Sequence, residues 1–496
     1  MRLRQAIFSS TLQQNATLFV FFGTGVVIAH LITPRQAGSY AVAIAAVGAI
    51  ADLKDSAVGS YIVSAPEVDN ALMRAAFGMS LTIAACLIIG LFGLSFLLAD
   101  LYQDPALGQI MRIVAVAQLG PAAAFPATMY LTRAMRFGSL LIIGLAAAIC
   151  QSLTSIGLAA RGYGGAALAW GYLVSAVMTA AMTIAYKPDA ICLRPTLAGS
   201  RRLLAFGGWA SGTLVVGSAA MSAPELMIGR VLGLANAALF SRAQNLVSFV
   251  RNGLVLGIAR PLLPGLGKRK GAGESLAPIY QRIVETITGL AWPIYAVLAI
   301  WAEPLVRAIY GDAWTATGTM MAPIAVAHAL TLTVGPHYDI LIVKRRQRLL
   351  FLSELGVSCF TLMALAIGMT HGIRGALWSM VLSGAFFAAC NFAVLRSVVA
   401  FPPGALLKAW SRSLALTLVA IPAPLALRHL VADGPIEIIF GFATSGAISA
   451  IFWIATAMLV RHELSFHLSG LLNDVLLSLR IAFTGFRPQP KETDQA

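Results

Sequence analysis

The chain has 496 residues, 58% of them apolar and only 11% charged, against about 25% charged in an ordinary soluble domain. Water is thereby excluded as its main solvent. A transmembrane barrel is excluded too, because a run such as Leu81 to Ala99 lacks the residue-by-residue alternation of barrel strands.

Apolar stretches long enough to cross about 30 Å of hydrocarbon as α-helix recur along the whole chain. The first, Asn15 to Ile32, follows a basic start like that of a signal peptide, but it is too long and has no clear cleavage site, so it reads as a span. Ala37 to Val63, Phe77 to Ala99, Leu107 to Leu131, Ser139 to Ala160 and Gly164 to Tyr186 complete a first set of six. A second set comprises Phe206 to Ile228, Leu232 to Leu263, Ile283 to Trp301, Met320 to Val343, Leu349 to Met369 and Gly375 to Leu395. Ala409 to Leu427 and Ile436 to Val460 bring the expected number to about 14 transmembrane helices in an all-α polytopic membrane protein. Beyond Arg461, HELSFHLSGLLNDVLLSLRIAF reads either as an amphipathic segment on the membrane surface or as an ordinary terminal helix, ahead of a polar, disordered tail.

Lys and Arg cluster in alternate loops: at Arg2 and Arg4, Arg74, Arg133 and Arg136, Lys187 through Arg202, Lys268 to Lys270, Lys344 to Arg348, Arg396 with Lys408, and from Arg461 onward. The other loops hold single residues, among them Arg35, Arg161, Arg230, Arg307, Arg374 and Arg428. Positive residues are retained on the cytoplasmic side, which predicts cytoplasmic termini. The net charge of +15 is then a consequence of topology, and no nucleic-acid partner is expected.

The chain also repeats itself. Ile28 to Ala45 pairs with Ile228 to Asn245 at an offset of 200, Leu97 to Asp104 with Leu305 to Asp312 at 208, and Arg161 to Leu168 with His371 to Trp378 at 210. Each repeat holds six spans, an even number, so the two run parallel about an axis along the membrane normal, as in one class of transporters. The expected domains are an N-lobe (1–186), a basic cytoplasmic linker (187–205), a C-lobe (206–396), two further helices (397–460) and a cytoplasmic tail (461–496).

Charge inside a span costs about 2.5 to 3.5 kcal/mol and marks a cavity or a partner. Asp52, Lys54 and Asp55 lie in the second span, Glu225 beside Pro224 in the seventh, Arg242 and Arg251 with Asn245 and Asn252 in the eighth, His328, His337 and Asp339 in the tenth, and Glu354 in the eleventh. The functional expectation is a water-filled cleft in which Arg242, Arg251, Lys54, Asn245 and Asn252 bind an anionic headgroup, arginine offering a planar donor fork for phosphate oxygens. Asp52, Asp55, Glu225 and Asp339 then line the cavity or carry a coupling ion. The plainer alternative pairs Lys54 and Asp55 with neighbours near a helix end and places the histidines in a hydrogen-bonded core.

No nucleotide, nucleophile-elbow or zincin motif is present, and Cys86, Cys150, Cys192, Cys359 and Cys390 are scattered singly. No cofactor, metal site or catalytic residue is expected. Ala37 to Leu81, Gly229 to Leu266 and Trp292 to Trp314 resemble the corresponding stretches of Wzx-type polysaccharide flippases of the multidrug, oligosaccharidyl-lipid and polysaccharide exporter superfamily. The likeness is most specific around Phe240 to Ala243, Glu303 to Leu305 and Tyr310 to Asp312, whereas Lys54 to Val58 lacks the aromatic and glycine usual in relatives. The resemblance implies a bacterial inner-membrane flippase that moves undecaprenyl-pyrophosphate-linked oligosaccharide repeat units to the periplasmic leaflet for exopolysaccharide or O-antigen synthesis, with a polymerase and chain-length machinery as partners. A drug or cation exporter of the same superfamily, and a membrane-embedded polysaccharide polymerase or ligase, stand as the alternatives.

Overall fold

The computed structural model describes residues 2–64, 68–187, 194–198, 208–251, 276–399, 401–432 and 434–465. Within its helices, the side chains of residues 2–15, 49–58, 60, 61, 63, 64 and 208–215 lie outside that description, as do most of the basic linker, the Lys268 to Lys270 cluster and nearly all of the tail. Every one of the fourteen stretches marked out above contains helix. Among the described residues, ten helical segments are long and apolar enough to cross a membrane.

The first six stretches form α1 (Arg2–Leu31), α2 (Pro34–Ser64), α3 (Asn70–Leu101), α4 (Pro105–Ala117), α5 (Leu119–Arg133), α6 (Phe137–Ala160) and α7 (Gly165–Tyr186). The next six form α8 (Gly208–Val231), α9 (Leu234–Val250), α10 (Ala277–Tyr310), α11 (Thr315–Thr331), α12 (His337–Val343), α13 (Gln347–Met369) and α14 (Gly372–Val399). Two more follow as α15 (Pro403–Ala420) with α16 (Pro422–Leu430), and α17 (Pro435–Leu459).

Three stretches expected to be continuous are broken, each at a proline. Pro121 has no N–H for the Ala117 carbonyl, and the fourth span bends at Gln118 between α4 and α5. The tenth passes through a 3₁₀ turn, Leu332–Val334, before Pro336 restarts it, and the thirteenth changes direction at Ile421, ahead of Pro422. The ninth is longer than expected, because Pro293 and Pro304 are both accommodated inside α10.

The repeat is carried into the backbone. Gln103 and Gly311, 208 apart, both have positive φ, as do Met135 and Arg345, and Gly162 and Gly372, each pair 210 apart. These turns place a left-handed residue at the same point of each set, where glycine is the easiest choice and where Gln103, Met135 and Arg345 accept strain. Asp104 caps α4 by accepting from the Ala106 N–H at 3.0 Å, and its repeat partner Asp312 opens the turn before α11.

The two sets meet along α2, which packs against α8 and α9. Small residues permit the approach, as they do generally between helices in lipid. Gly38 lies directly against the Leu234 carbonyl, leaving no room for a Cβ, and Gly229 receives the Val42 side chain. These contacts, together with Tyr102 donating to the Leu226 carbonyl at 2.7 Å and Trp314 Nε1 donating to the Ala29 carbonyl at 2.9 Å, all sit toward the end of the bundle where α1 turns into α2.

The last spans are pinned to α10 near the opposite end. Arg412 of α15 pairs with Glu285 at 3.2 Å, Thr288 and Ser413 share a hydrogen bond of 2.8 Å, and Trp453 of α17 donates to the Gly289 carbonyl at 2.9 Å. His462 sits in the notch left by Gly289, and its Nδ1 accepts the Leu464 N–H at 3.2 Å. That acceptance fixes the proton on Nε2, which lies 3.3 Å from Ser413 Oγ and 3.9 Å from Glu285.

Candidate functional site

The structure separates the two arginines that the sequence placed on one helix. Nine residues of α-helix are about two and a half turns and about 13 Å, so Arg242 and Arg251 leave α9 on opposite faces.

Arg242 belongs to the junction of the two sets. Its guanidinium carbon lies 4.9 Å from the ring centres of both Tyr310 and Trp314, and its Nη1 donates to the Gly25 carbonyl of α1 at 3.4 Å. Gly25 leaves the space this requires, since a Cβ there would stand 2.6 Å from Nη1. Phe22 packs edge-on against Tyr310 beside it. A cation is thus held in a span by two aromatic faces and a backbone carbonyl, with no carboxylate paired to it among the described residues.

Arg251, at the end of α9, faces the interior of the second set. Its Nε is buried without a hydrogen-bond partner, and the same is true of Tyr295 Oη on α10 and His328 Nδ1 on α11. The Tyr295 and His328 rings meet edge to face with centroids 6.3 Å apart, and the Arg251 charge reaches both. Tyr295 was not singled out from sequence. Offset 208 aligns it with Leu87, a substitution of polar for apolar that a residue-by-residue comparison of the repeats exposes.

The remaining expected residues are dispersed. Asn245 is exposed on α9 and does not join the contacts of Arg242, although it lies one turn away. Glu225 is half-buried on α8 and hydrogen-bonded by Ser241 of α9, Pro224 being accommodated within the helix. Asp339 opens α12, half-buried, and Glu354 of α13 faces Gly217 of α8, its Oε1 3.3 Å from where a Cβ would stand. His337 packs edge-on against Phe387 in the core. The side chains of Asp52, Lys54 and Asp55, and the whole of Asn252, lie outside the described residues. Among the described residues no cluster of His, Cys, Asp and Glu is arranged to hold a metal.

Beside the Arg242 junction lies a cavity of about 850 Å³ with an almost wholly apolar lining. Phe19 and Phe22 of α1, Phe249 of α9, Ile294 of α10, and Phe442 and Trp453 of α17 are among its walls. The last spans, which stand outside the repeat, therefore help to enclose it.

Residues 27–318 match the model of a family described as polysaccharide biosynthesis proteins. The chain belongs to that family. It is 23% identical to the succinoglycan biosynthesis transport protein ExoT of Rhizobium meliloti (strain 1021), across 90% of this chain and 92% of that one. It is 21% identical to the lipopolysaccharide biosynthesis protein WzxC of Escherichia coli (strain K12), across 74% and 76%. The fold of this family member is also that of two solved transporters. A lipid II flippase MurJ structure superposes with a TM-score of 0.70, covering 91% of this chain and 99% of its own at 13% identity. An inward-facing multidrug resistance MATE transporter of the multidrug, oligosaccharidyl-lipid and polysaccharide superfamily does so with 0.62, covering 79% and 96% at 16% identity.

Proposed function

We propose that this chain is a flippase of the bacterial inner membrane that carries undecaprenyl-pyrophosphate-linked oligosaccharide repeat units from the cytoplasmic to the periplasmic leaflet, for exopolysaccharide or O-antigen assembly. The observation that carries the reading is Arg251: a cation within the eighth expected span whose Nε is buried without a partner and with which no carboxylate pairs among the described residues, in a family of polysaccharide biosynthesis proteins. An uncompensated arginine in a span is costly and is retained where an anion visits.

On this reading the basic loops place both termini in the cytoplasm, and the end where α1 turns into α2 faces the periplasm. The close packing of α2 on α8 and α9 at that end is then a closed periplasmic side. Lobes 1–186 and 206–396 rock about it, with 397–460 moving as an appendage of the second and 187–205 as the cytoplasmic linker. Arg251, with Lys54 of the second expected span and Asn252 of the eighth, receives the diphosphate. Arg242 serves the periplasmic junction in this state and, with Asn245, meets the headgroup after the junction opens. Asp52, Asp55, Glu225 and Asp339 are the carboxylates offered for ion coupling. The apolar cavity walled by α1, α9, α10 and α17 takes the first isoprene units of the carrier, the rest of the tail staying in lipid. Finished units pass to a polymerase on the periplasmic side.

The test is deletion in the host, with complementation by the wild-type chain and by Arg251→Gln at matched abundance. The expected result is loss of surface polymer with repeat units held on the cytoplasmic leaflet, uncorrected by Arg251→Gln. Repeat units that reach the periplasm and remain unpolymerised would overturn the flippase reading in favour of a polymerase.

A further inference from the structure

We infer that Tyr295 and His328 complete a phosphate subsite with Arg251 inside the second set of helices, so that the diphosphate is bound by three donors from α9, α10 and α11. This rests on the flippase reading and assigns its headgroup contacts.

Nine side-chain polar atoms among the described residues are buried without a hydrogen-bond partner, and three of them, Arg251 Nε, Tyr295 Oη and His328 Nδ1, belong to this one place. Native proteins rarely leave such groups unmet, and each instance calls for a cause. Tyr295 and His328 are 2% and 7% exposed, so solvent does not satisfy them. Packing does not demand them either. The repeat places Ala51 opposite Arg251 and Leu87 opposite Tyr295, which shows that the architecture is built as well from two apolar residues.

Gln118, opposite His328, makes the contrast sharper. It is equally buried, yet its Nε2 donates to the Val114 carbonyl and to Tyr172 Oη, both at 3.4 Å. The first set carries a polar residue at this point and provides for it internally. The second set carries three and leaves them open.

The chemistry selects the ligand. A cation is refused by the Arg251 guanidinium. A neutral hydroxyl offers too few lone pairs for three donors. Arg251 Nε–H, the Tyr295 hydroxyl and a His328 protonated on Nδ1 all donate, and they suit an acceptor that carries negative charge and several lone pairs, as a phosphate does. Arg251 is only half-buried and meets the headgroup first. The two donors beneath it engage as the headgroup is drawn in and α9 shifts on α10 and α11. Water is excluded at that stage, and the donors gain most from it.

The experiment uses the full chain in lipid nanodiscs, with farnesyl diphosphate as probe and farnesol as its uncharged counterpart. The wild type is expected to bind farnesyl diphosphate well above farnesol. Tyr295→Phe, which removes one oxygen atom, and His328→Leu should each weaken farnesyl diphosphate about tenfold and leave farnesol unchanged. His328→Asn, which restores an N–H near the Nδ1 position, should recover most of that loss, and Tyr172→Phe in the first set should leave affinity alone. If Arg251→Gln weakens binding while Tyr295→Phe and His328→Leu do not, the subsite is wrong and the flippase reading stands. If the wild type does not distinguish farnesyl diphosphate from farnesol, both fail together.

Discussion

The two six-span sets differ most where their polar residues are buried. At the same point of the repeat the first set holds Gln118, bonded to Tyr172 and to a backbone carbonyl, and the second holds His328, whose Nδ1 has no partner and which lies beside two other unmet groups. Three turns, by contrast, keep a positive-φ residue at the same point of both sets, at Gln103 and Gly311, Met135 and Arg345, and Gly162 and Gly372. Shared turns are kept in both sets, and the sets diverge in whether the polar residues buried at this point find a partner. A second asymmetry lies at the junction, where Gly25 makes room for Arg242 while its repeat partner is Glu225, which pairs with Ser241.

Breaking the junction should have the largest effect. Gly38 of α2 touches the Leu234 carbonyl of α9 so closely that no Cβ fits, whereas its repeat partner Ala238 is an alanine already. Gly38→Ala must separate α2 from α9 or prevent assembly, at a cost of about 3 kcal/mol or more. The check is thermal unfolding with surface polymer as a second readout. Gly90→Ala, where nothing stands within 4 Å, is the matched control and should be silent.

Gly25→Ala should act more gently. The methyl group would meet only the far end of the Arg242 side chain, which moves aside and gives up the Gly25 carbonyl. The expected result is a loosened junction in a protein that still folds. In a chain with its five native cysteines replaced, Ala29→Cys, now 6% exposed, should react with an impermeant maleimide several times faster when Gly25→Ala is added. An unchanged rate would show that the aromatic faces of Tyr310 and Trp314 hold Arg242 unaided.

Much of this organisation was legible in the sequence, for physical reasons that differ by feature. Span positions follow from apolar length alone, and each expected stretch contains helix among the described residues. The breaks at Gln118 and Ile421 were legible in principle from Pro121 and Pro422, but a hydropathy window averages over a missing hydrogen bond. The site was less legible. Intramembrane charge singled out Arg242 and Arg251 together, yet helical phase puts them on opposite faces. Tyr295, Tyr310 and Trp314 carry no charge and look like ordinary aromatic core until their neighbours are known. Glu285, Arg412 and His462 come from three separate segments, and nothing in their spacing announces that they meet.

Tyrosine to phenylalanine in each set sharpens the comparison at a single atom. Tyr172→Phe takes away an acceptor from Gln118 and should destabilise the chain by about 1 kcal/mol. Tyr295→Phe removes a hydroxyl that has no partner, so without ligand it should leave stability unchanged or raise it slightly. Urea or thermal unfolding of both variants in the same lipid decides the matter. Equal losses would mean that Tyr295 is satisfied in the membrane and would remove the contrast between the sets.

The smallest effect is expected outside the repeat, at His462. Burial holds this imidazole down to about 4, from an ordinary value of 6.5, against a raising influence from Glu285 and a further lowering one from Arg412. In the unfolded chain the ring takes up its proton near 6.5, while in the folded chain it stays neutral, seated at Gly289 with Nδ1 bonded to the Leu464 N–H. The unfolded state therefore binds more protons between those values, and stability is full above about 6.5 and declines as pH falls toward about 4. From about pH 7 to about pH 6 the loss should be about 0.7 kcal/mol, seen as a modest fall in melting temperature. His462→Asn should flatten that slope. His462 is faced by Glu285, Glu463, Arg412 and Arg282, and a slope that survives the substitution would show that the attachment of the last spans to α10 is insensitive to protonation of the ring.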